Sequence, residues 1–283
     1  MHLFLSIFGR GPCSECEAHI SESRDALLDR LHRMEPSKIA RLNFPLALQR
    51  MKLDRPDRAF FTHPRLFEWV ELDTEGWFAA VRMRLEQGYA PHSSLTCSVP
   101  KPGWLVRPVT VLDEQDELVM NALIGNFYAK AFDLLGPFQG DPDVAYQLQR
   151  DENEKEWLHT GFRVWTEWRN KSLHKLAGSQ FVVLADIAGF YENIDLQRLR
   201  NDLSALSVEP VLLDLLMSLL NRWAQPRGKG IPQGYSAGDI LAKIYLNPID
   251  RALRNQSFTH LRYVDDIRIF CKTRLEAKSV CLL

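Results

Sequence analysis

The ten residues Leu261-Arg262-Tyr263-Val264-Asp265-Asp266-Ile267-Arg268-Ile269-Phe270 leave little freedom in how this chain can fold. Leu261 and Tyr263 alternate with Arg262, and Ile267 and Ile269 alternate with Arg268, which is the period of half-buried strands. Aspartate disfavours strands and favours tight turns, so Asp265-Asp266 marks the tip of a hairpin. Adjacent carboxylates repel, and each raises the other's pKa where water is excluded. A divalent cation removes that penalty, which makes the pair a candidate metal site. Taken alone, the stretch reads better as a solvated turn that contains two aspartates.

A second stretch changes the balance. Phe181-Val182-Val183-Leu184-Ala185 is a continuous apolar run of strand length, expected to be buried on both faces, and it ends at Asp186. A charge there is costly unless paired or coordinated. A third carboxylate at a strand end is what the hairpin pair needs to hold hard cations through oxygen. Phe190 and Tyr191 follow, and Asp195 is expected to cap a helix beginning at Leu196. Farther on, Gly228-Lys229-Gly230-Ile231-Pro232-Gln233-Gly234 approaches a helix expected from Ser236, its cap, to Leu246. Asn247-Pro248 is expected to interrupt that helix. A glycine loop of this kind is weak evidence alone, since it is ordinarily just a helix entry.

Upstream, Ser94–Val99 and Leu105–Val111 read as a hairpin around Pro100-Lys101-Pro102-Gly103, followed by a helix over Asp113–Leu135. Lys101 and Arg107 are either surface charges or a phosphate clamp. Residues 152–176 interleave Trp157, Trp165 and Trp168 with Arg163, Arg169, Lys171 and Lys175. That pattern suits single-stranded nucleic acid, and equally a solvated helix with buried tryptophans. The first ninety residues read as helices: one over 18–35 that Pro36 ends, one at Leu46–Met51 entered by Pro45, and one over Leu66–Tyr89 stopped by Gly88. In the last, Trp69, Trp77, Val81 and Leu85 are expected in the core.

Composition bounds the partners. The net charge of −1 over 283 residues carries no global nucleic-acid signature, yet from Asn221 onward 11 Lys and Arg face 5 Asp and Glu. Five scattered cysteines fit reduced thiols and a cytoplasmic location. Cys13, Cys16 and His19 lack a fourth ligand for zinc. The apolar run Leu3–Phe8 is too short to span a membrane, and no membrane association is expected.

Read in order, Asp186-Ile-Ala-Gly-Phe190-Tyr191, Gly230-Ile-Pro-Gln-Gly234 and Tyr263-Val-Asp-Asp266 resemble three palm motifs of the reverse transcriptase family. The stretch Val99–Leu123 resembles its fingers, and the likeness covers roughly 95–275. The wording from Arg262 to Cys271 looks most like bacterial abortive-infection and defence-associated enzymes, with group II intron and retron enzymes as neighbours. The resemblance implies an α+β fold of fingers and a ferredoxin-like palm. It implies fingers over 91–180 and an incomplete palm over 181–283, with no thumb, and it leaves residues 1–90 as a helical N-terminal extension outside the likeness.

It further implies an RNA-directed DNA polymerase in phage defence or a mobile element. Asp186, Asp265 and Asp266 would hold Mg²⁺ or Mn²⁺, and Lys101 and Arg107 would neutralise a triphosphate. Tyr191 would sit under the sugar and exclude a 2′-hydroxyl, Gln233 would place the nucleotide, and Tyr263 would lie at the primer end. The implied partners are an RNA template, a DNA primer or product, dNTPs, and a partner protein or second copy. The alternative is a catalytically inactive, truncated nucleic-acid-binding or assembly module. One departure stands out: Gly238-Asp239 occupies positions where the family often has Ser-Pro.

Overall fold

The computed structural model describes residues 33–54, 66–101, 105–150, 155–159 and 161–282. The Cys13–His19 run, the Pro102-Gly103 turn and nearly all of the expected helix over 18–35 lie outside the described residues. Helix α1 (Pro36–Ile39) has Pro36 at its first position. Pro36 therefore opens a helix, since the first turn needs no N–H from it. Helix α2 (Phe44–Asp54) follows, with Pro45 in its first turn. The single helix expected over 66–89 is two, α3 (Leu66–Leu72) and α4 (Thr74–Gln87). Asp73 separates them by accepting a hydrogen bond from the Gly76 N–H at 2.9 Å, which caps α4. Gly88 closes α4 at φ 121°. Val81 and Leu85 are buried, but Trp69 is 68% exposed because Phe67 and Val70 take the inward face of α3.

Strands β1 (Leu95–Lys101) and β2 (Leu105–Val111) form an antiparallel hairpin. Asp113 then caps α5 (Glu114–Leu135) through the Gln115 N–H at 2.9 Å. This helix is buried along most of its length and is the axis of the main core. That core is one continuous cluster from Met34 and Phe44 through α5 to Leu246, so the N-terminal helices share it with the elements that follow. The short strands β3 (Gln147–Leu148) and β4 (Leu158–His159) pair ahead of α6 (Phe162–Ala177). Trp157 and Trp168 are buried, while Trp165 is 39% exposed.

Next come β5 (Phe181–Asp186), α7 (Phe190–Asn193), α8 (Leu196–Ala205), α9 (Pro210–Trp223) and α10 (Ser236–Asn255). Strands β6 (Thr259–Tyr263) and β7 (Asp266–Cys271) and helix α11 (Arg274–Val280) follow. Asp195 caps α8 as expected, accepting from the Arg198 N–H at 2.8 Å. Ser236 is not the cap of α10. Tyr235 holds that position, and Asp54 of α2 receives the Ser236 N–H at 3.0 Å and its hydroxyl at 2.5 Å. Pro248 does not break α10. Its lost hydrogen bond is outweighed by the packing of Ile244, Leu246 and Leu253 on either side of it.

The three strands form one antiparallel sheet in the order β5-β7-β6. One face packs Val182, Leu261 and Phe270 against Val164 and Trp168 of α6. The other packs Val183, Ile267, Ile269 and Cys271 against Leu253 of α10 and Val280 of α11. Each such aliphatic side chain contributes about 1.5–3 kcal/mol on burial. Strand β5 lies at the sheet edge and is not buried on both faces: Leu184 is 72% exposed. A continuous apolar run does not by itself distinguish a central strand from an edge strand that is covered at one end only. Among the described residues no helix is long and apolar enough to cross a membrane.

Candidate active site

The β6–β7 connection is a two-residue turn, Val264-Asp265, closed by the pair Tyr263 and Asp266. Asp266 also pairs with Asp186 across β5 and β7. Directly opposed residues of antiparallel strands project to the same face with Cβ atoms about 4.5–5.5 Å apart. Tyr263, Asp266 and Asp186 therefore stand in a row across the end of the sheet, and Asp265 follows at the turn. Burial raises the Asp266 carboxyl above its usual range; Arg268 opposes this, and the charges of Asp186 and Asp265 add to it. The site thus holds mutually repelling oxygen donors that a hard cation would relieve. Among the described residues, the one trio with ligand atoms all within 4.8 Å is His92, Asp113 and Asp116. Asp186, Asp265 and Asp266 do not all bring an oxygen within that distance of one another.

A cleft of about 850 Å³ opens beside the hairpin. Tyr191, Gln233, Tyr263 and Asp265, all singled out from the sequence, line it together with Arg50 and Asp239. Asp186 and Asp266 stand at the strand ends next to it rather than in its wall. Val99 and Val109 of the β1–β2 hairpin also line it. Arg107 pairs with Val99, and Lys101 with Leu105, but the side chains of Lys101 and Arg107 lie outside the described residues.

Backbone bonds lock the glycine loop to the Tyr191 segment. The Ile231 N–H donates to the Tyr191 carbonyl at 2.9 Å, and the Gly230 N–H to the Ile194 carbonyl at 2.8 Å. The Tyr235 hydroxyl bridges the Thr110 carbonyl and the Leu112 N–H, each at 3.0 Å, which ties the end of the loop to β2. Gly230 has φ 91°, and a Cβ there would lie 3.1 Å from the Glu192 carbonyl oxygen. Gly230→Ala is therefore expected to destabilise the protein by about 1–3 kcal/mol, combining backbone strain and a backbone clash. Gly228, with φ 80° and nothing within 4 Å of a Cβ, carries the strain alone. Its alanine variant should cost less in urea unfolding, and equal costs would show that close approach to Glu192 is not what selects glycine at 230.

Behind the hairpin lies a buried ionic network. The Arg262 guanidinium donates to both oxygens of Asp250, with Nε at 3.0 Å from each and Nη2 at 2.6 Å from Oδ2. Nη2 also lies 2.9 Å from Asp143. Asp143 pairs in turn with Lys243, which donates to the Ala145 carbonyl at 2.6 Å, and His260 contacts Asp250 at 3.2 Å. Burial works against the Arg262 charge, yet Asp143 and Asp250 outweigh it and hold it firmly protonated. Burial likewise opposes ionised Asp250, but Arg262 and His260 leave its carboxyl below the ordinary range. Arg262 Nη1 donates to the Val264 carbonyl at 3.1 Å, so the network ends on the turn that carries Asp265.

Several cleft residues carry no local sequence signal. Arg50 lies over the Trp157 ring at 4.0 Å, and Asp54 reaches Ser236 across 182 positions. Both belong to α2, in a region that reads in sequence as a separate extension. His92, Asp113 and Asp116 carry no such signal either. The two carboxylates already accept hydrogen bonds: Asp116 from the Tyr89 hydroxyl at 2.7 Å and the His92 backbone N–H at 2.8 Å, Asp113 from the Gln115 N–H at 2.9 Å. The trio ties the start of α5 to the segment that leads into β1.

Residues 99–282 match the family model described as reverse transcriptase (RNA-dependent DNA polymerase). No curated protein matches the chain. Similar solved structures include an apo telomerase from Candida tropicalis truncated from its C-terminal domain, at 16% identity and a TM-score of 0.44 over 68% of this chain and 46% of that one. A telomerase from Candida albicans in complex with a fragment of telomeric RNA follows at 14% and 0.46, over 77% and 44%. A partial Cas6-RT-Cas1–Cas2 complex gives 17% and 0.44, over 88% and 38%. The chain spans less than half the length of these structures. With its three motifs gathered around one cleft and a family match over most of its length, the chain belongs to the reverse transcriptase family.

Proposed function

We propose that this chain is the nucleotide-adding part of an RNA-directed DNA polymerase. One observation carries the reading: Asp186 and Asp266 are register partners, and Asp265 sits on the adjoining turn in the wall of the cleft. Asp186 and Asp265 would hold Mg²⁺ or Mn²⁺, with Asp266 beside them. Bound there, the cations would lower the pKa of a primer 3′-hydroxyl and neutralise the leaving pyrophosphate. The chain's own groups do the rest. Tyr191 would close the cleft beneath the sugar, Gln233 would orient the incoming dNTP, and Tyr263 would support the primer end. Lys101 and Arg107, on the hairpin that reaches the cleft, would meet the triphosphate.

A strand of nucleic acid also needs a surface outside the cleft. Phe162, 80% exposed, stacks on Trp165 at 5.8 Å, and Arg169 lies 5.9 Å from the Trp165 ring. Gly161, just before Phe162, lines the cleft. Exposed rings beside arginines stack unpaired bases at about 1–3 kcal/mol per base. Phe162→Ala with Trp165→Ala is thus expected to weaken binding of a single-stranded oligonucleotide by about tenfold or more. Unchanged binding in fluorescence polarisation would remove α6 from the nucleic-acid path.

The setting we propose is bacterial phage defence or a mobile element, in the cytoplasm, on the resemblance of the Arg262–Cys271 wording and the reduced-thiol pattern. A partner protein or second copy belongs to the same proposal. The decisive experiment supplies primer on an RNA template, labelled dNTPs and Mg²⁺ or Mn²⁺. Incorporation supports the reading. Tight binding without incorporation, also in a form extended by downstream sequence, favours a non-catalytic binding module.

A further inference from the structure

The floor of the cleft contains a carboxylate that the proposed chemistry does not use. Asp239 lies in the first turn of α10 and faces Tyr191, whose hydroxyl donates a hydrogen bond to its Oδ1. An acid there would repel a triphosphate, so its presence requires a reason. Part of the reason is local: the N-terminus of a helix favours a negative charge. The other part is its partner. Tyr191 is only 9% exposed and sits on the short helix α7, entered through Gly189 at φ 56°. Its backbone carbonyl is held by Ile231, and its hydroxyl by Asp239. The ring is thus fixed at both ends, from the glycine loop and from α10.

The neighbouring residue shows how closely this is built. A Cβ at Gly238 would lie 2.6 Å from the Pro232 carbonyl oxygen. Only glycine lets the loop that presents Gln233 press against the first turn of α10, and that contact sets the position of Asp239 opposite Tyr191. Burial, then the Asp239 charge and hydrogen bond, keep the Tyr191 phenol protonated far above its usual range, so it remains a donor at any working pH.

We propose that Asp239 is a specificity-determining positioning residue: by anchoring the Tyr191 hydroxyl, it fixes the ring that separates deoxyribonucleotides from ribonucleotides. The inference rests on the polymerase reading and on Tyr191 lying beneath the sugar. A phenol free at its outer end can swing about its side-chain torsions and admit a 2′-hydroxyl. One tied to a carboxylate must first break a charge-assisted bond.

The test uses the full chain with primer–template and measures single-turnover efficiency for a matched dNTP and the corresponding rNTP. Asp239→Ala should lower the preference for dNTP by about tenfold, the factor that one such hydrogen bond is worth. Asp239→Asn keeps a side-chain oxygen acceptor and should recover most of the preference. Tyr191→Phe deletes the same bond from its other end at nearly constant volume and should match Asp239→Ala. The double variant should be no worse than either single variant, because both remove one interaction. A general loss of packing would slow both nucleotides alike and leave the ratio unmoved. If Asp239→Ala loses all activity, the ratio in Tyr191→Phe decides. Incorporation with an unchanged ratio overturns this inference alone. No incorporation by the unmodified chain overturns the polymerase reading and this inference with it.

Discussion

Asp265→Ala should abolish nucleotide incorporation while the protein still folds. Asp265 lies in the two-residue turn, half-buried in the wall of the cleft and outside the hydrophobic clusters. Its loss should therefore shift unfolding by less than about 1 kcal/mol. Its proposed role is to hold the cations that lower the barrier, a contribution of several kcal/mol. A loss of about 4 kcal/mol in the transition state is roughly a thousandfold in rate. Incorporation of labelled dNTP and a melting curve, measured on the same preparation, separate the two effects. A variant with near-native melting and near-native incorporation would remove Asp265 from the chemistry. Asp186→Ala should behave alike, since Asp186 is exposed at the end of β5 and register brings it beside Asp266.

Arg262→Met should do the opposite and cost stability first. Arg262 is 1% exposed and neutralises Asp143 and Asp250, both equally buried. Removing one partner of a buried ionic group leaves charge without compensation, at a typical cost of about 3–5 kcal/mol. Lysine should rescue only partly, because a point charge cannot reproduce the fork on Asp250. The pH dependence follows from the same contacts. Asp250 is held below its ordinary carboxyl range, so the stability it contributes is fully present above its unfolded pKa, about 3.9. That stability is lost as pH falls through the depressed folded value. In Arg262→Met this acid-linked loss should shrink. Denaturation midpoints at neutral and acid pH measure both effects, and an unchanged midpoint would show that the network is not a stabilising element.

The parts legible in the sequence were those written in short range. Alternation fixed the β6–β7 hairpin, the position of Asp195 before Leu196 marked its cap, and the ordered motifs identified the family. What failed needed distant partners. Ser236 has a capping residue's chemistry, but Asp54 performs the function from a helix 182 residues away. Pro248 looks like a break until the packing on both sides of it is known. The apolar run of β5 implied a central strand, yet its place at the sheet edge is a property of topology. The network around Arg262 is invisible for the same reason: it joins three separate stretches, the loop at Asp143, helix α10 through Lys243 and Asp250, and strand β6 through His260 and Arg262.

Val264 holds φ 56°, a left-handed conformation that a β-branched residue adopts only under constraint. Such a residue carries of the order of 1–3 kcal/mol of strain. The Tyr263–Asp266 strand pair closes the turn around it, Val264 packs against the main core, and Arg262 donates to its carbonyl. The hairpin tip is thus a loaded catch: the pairing, the packing and the Arg262 bond together hold a strained turn, and that turn places Asp265 in the wall of the cleft. A residue more at ease at position 264 would relax the backbone and, with it, the aim of the carboxylate. At this one position thermodynamic comfort and functional geometry pull against each other.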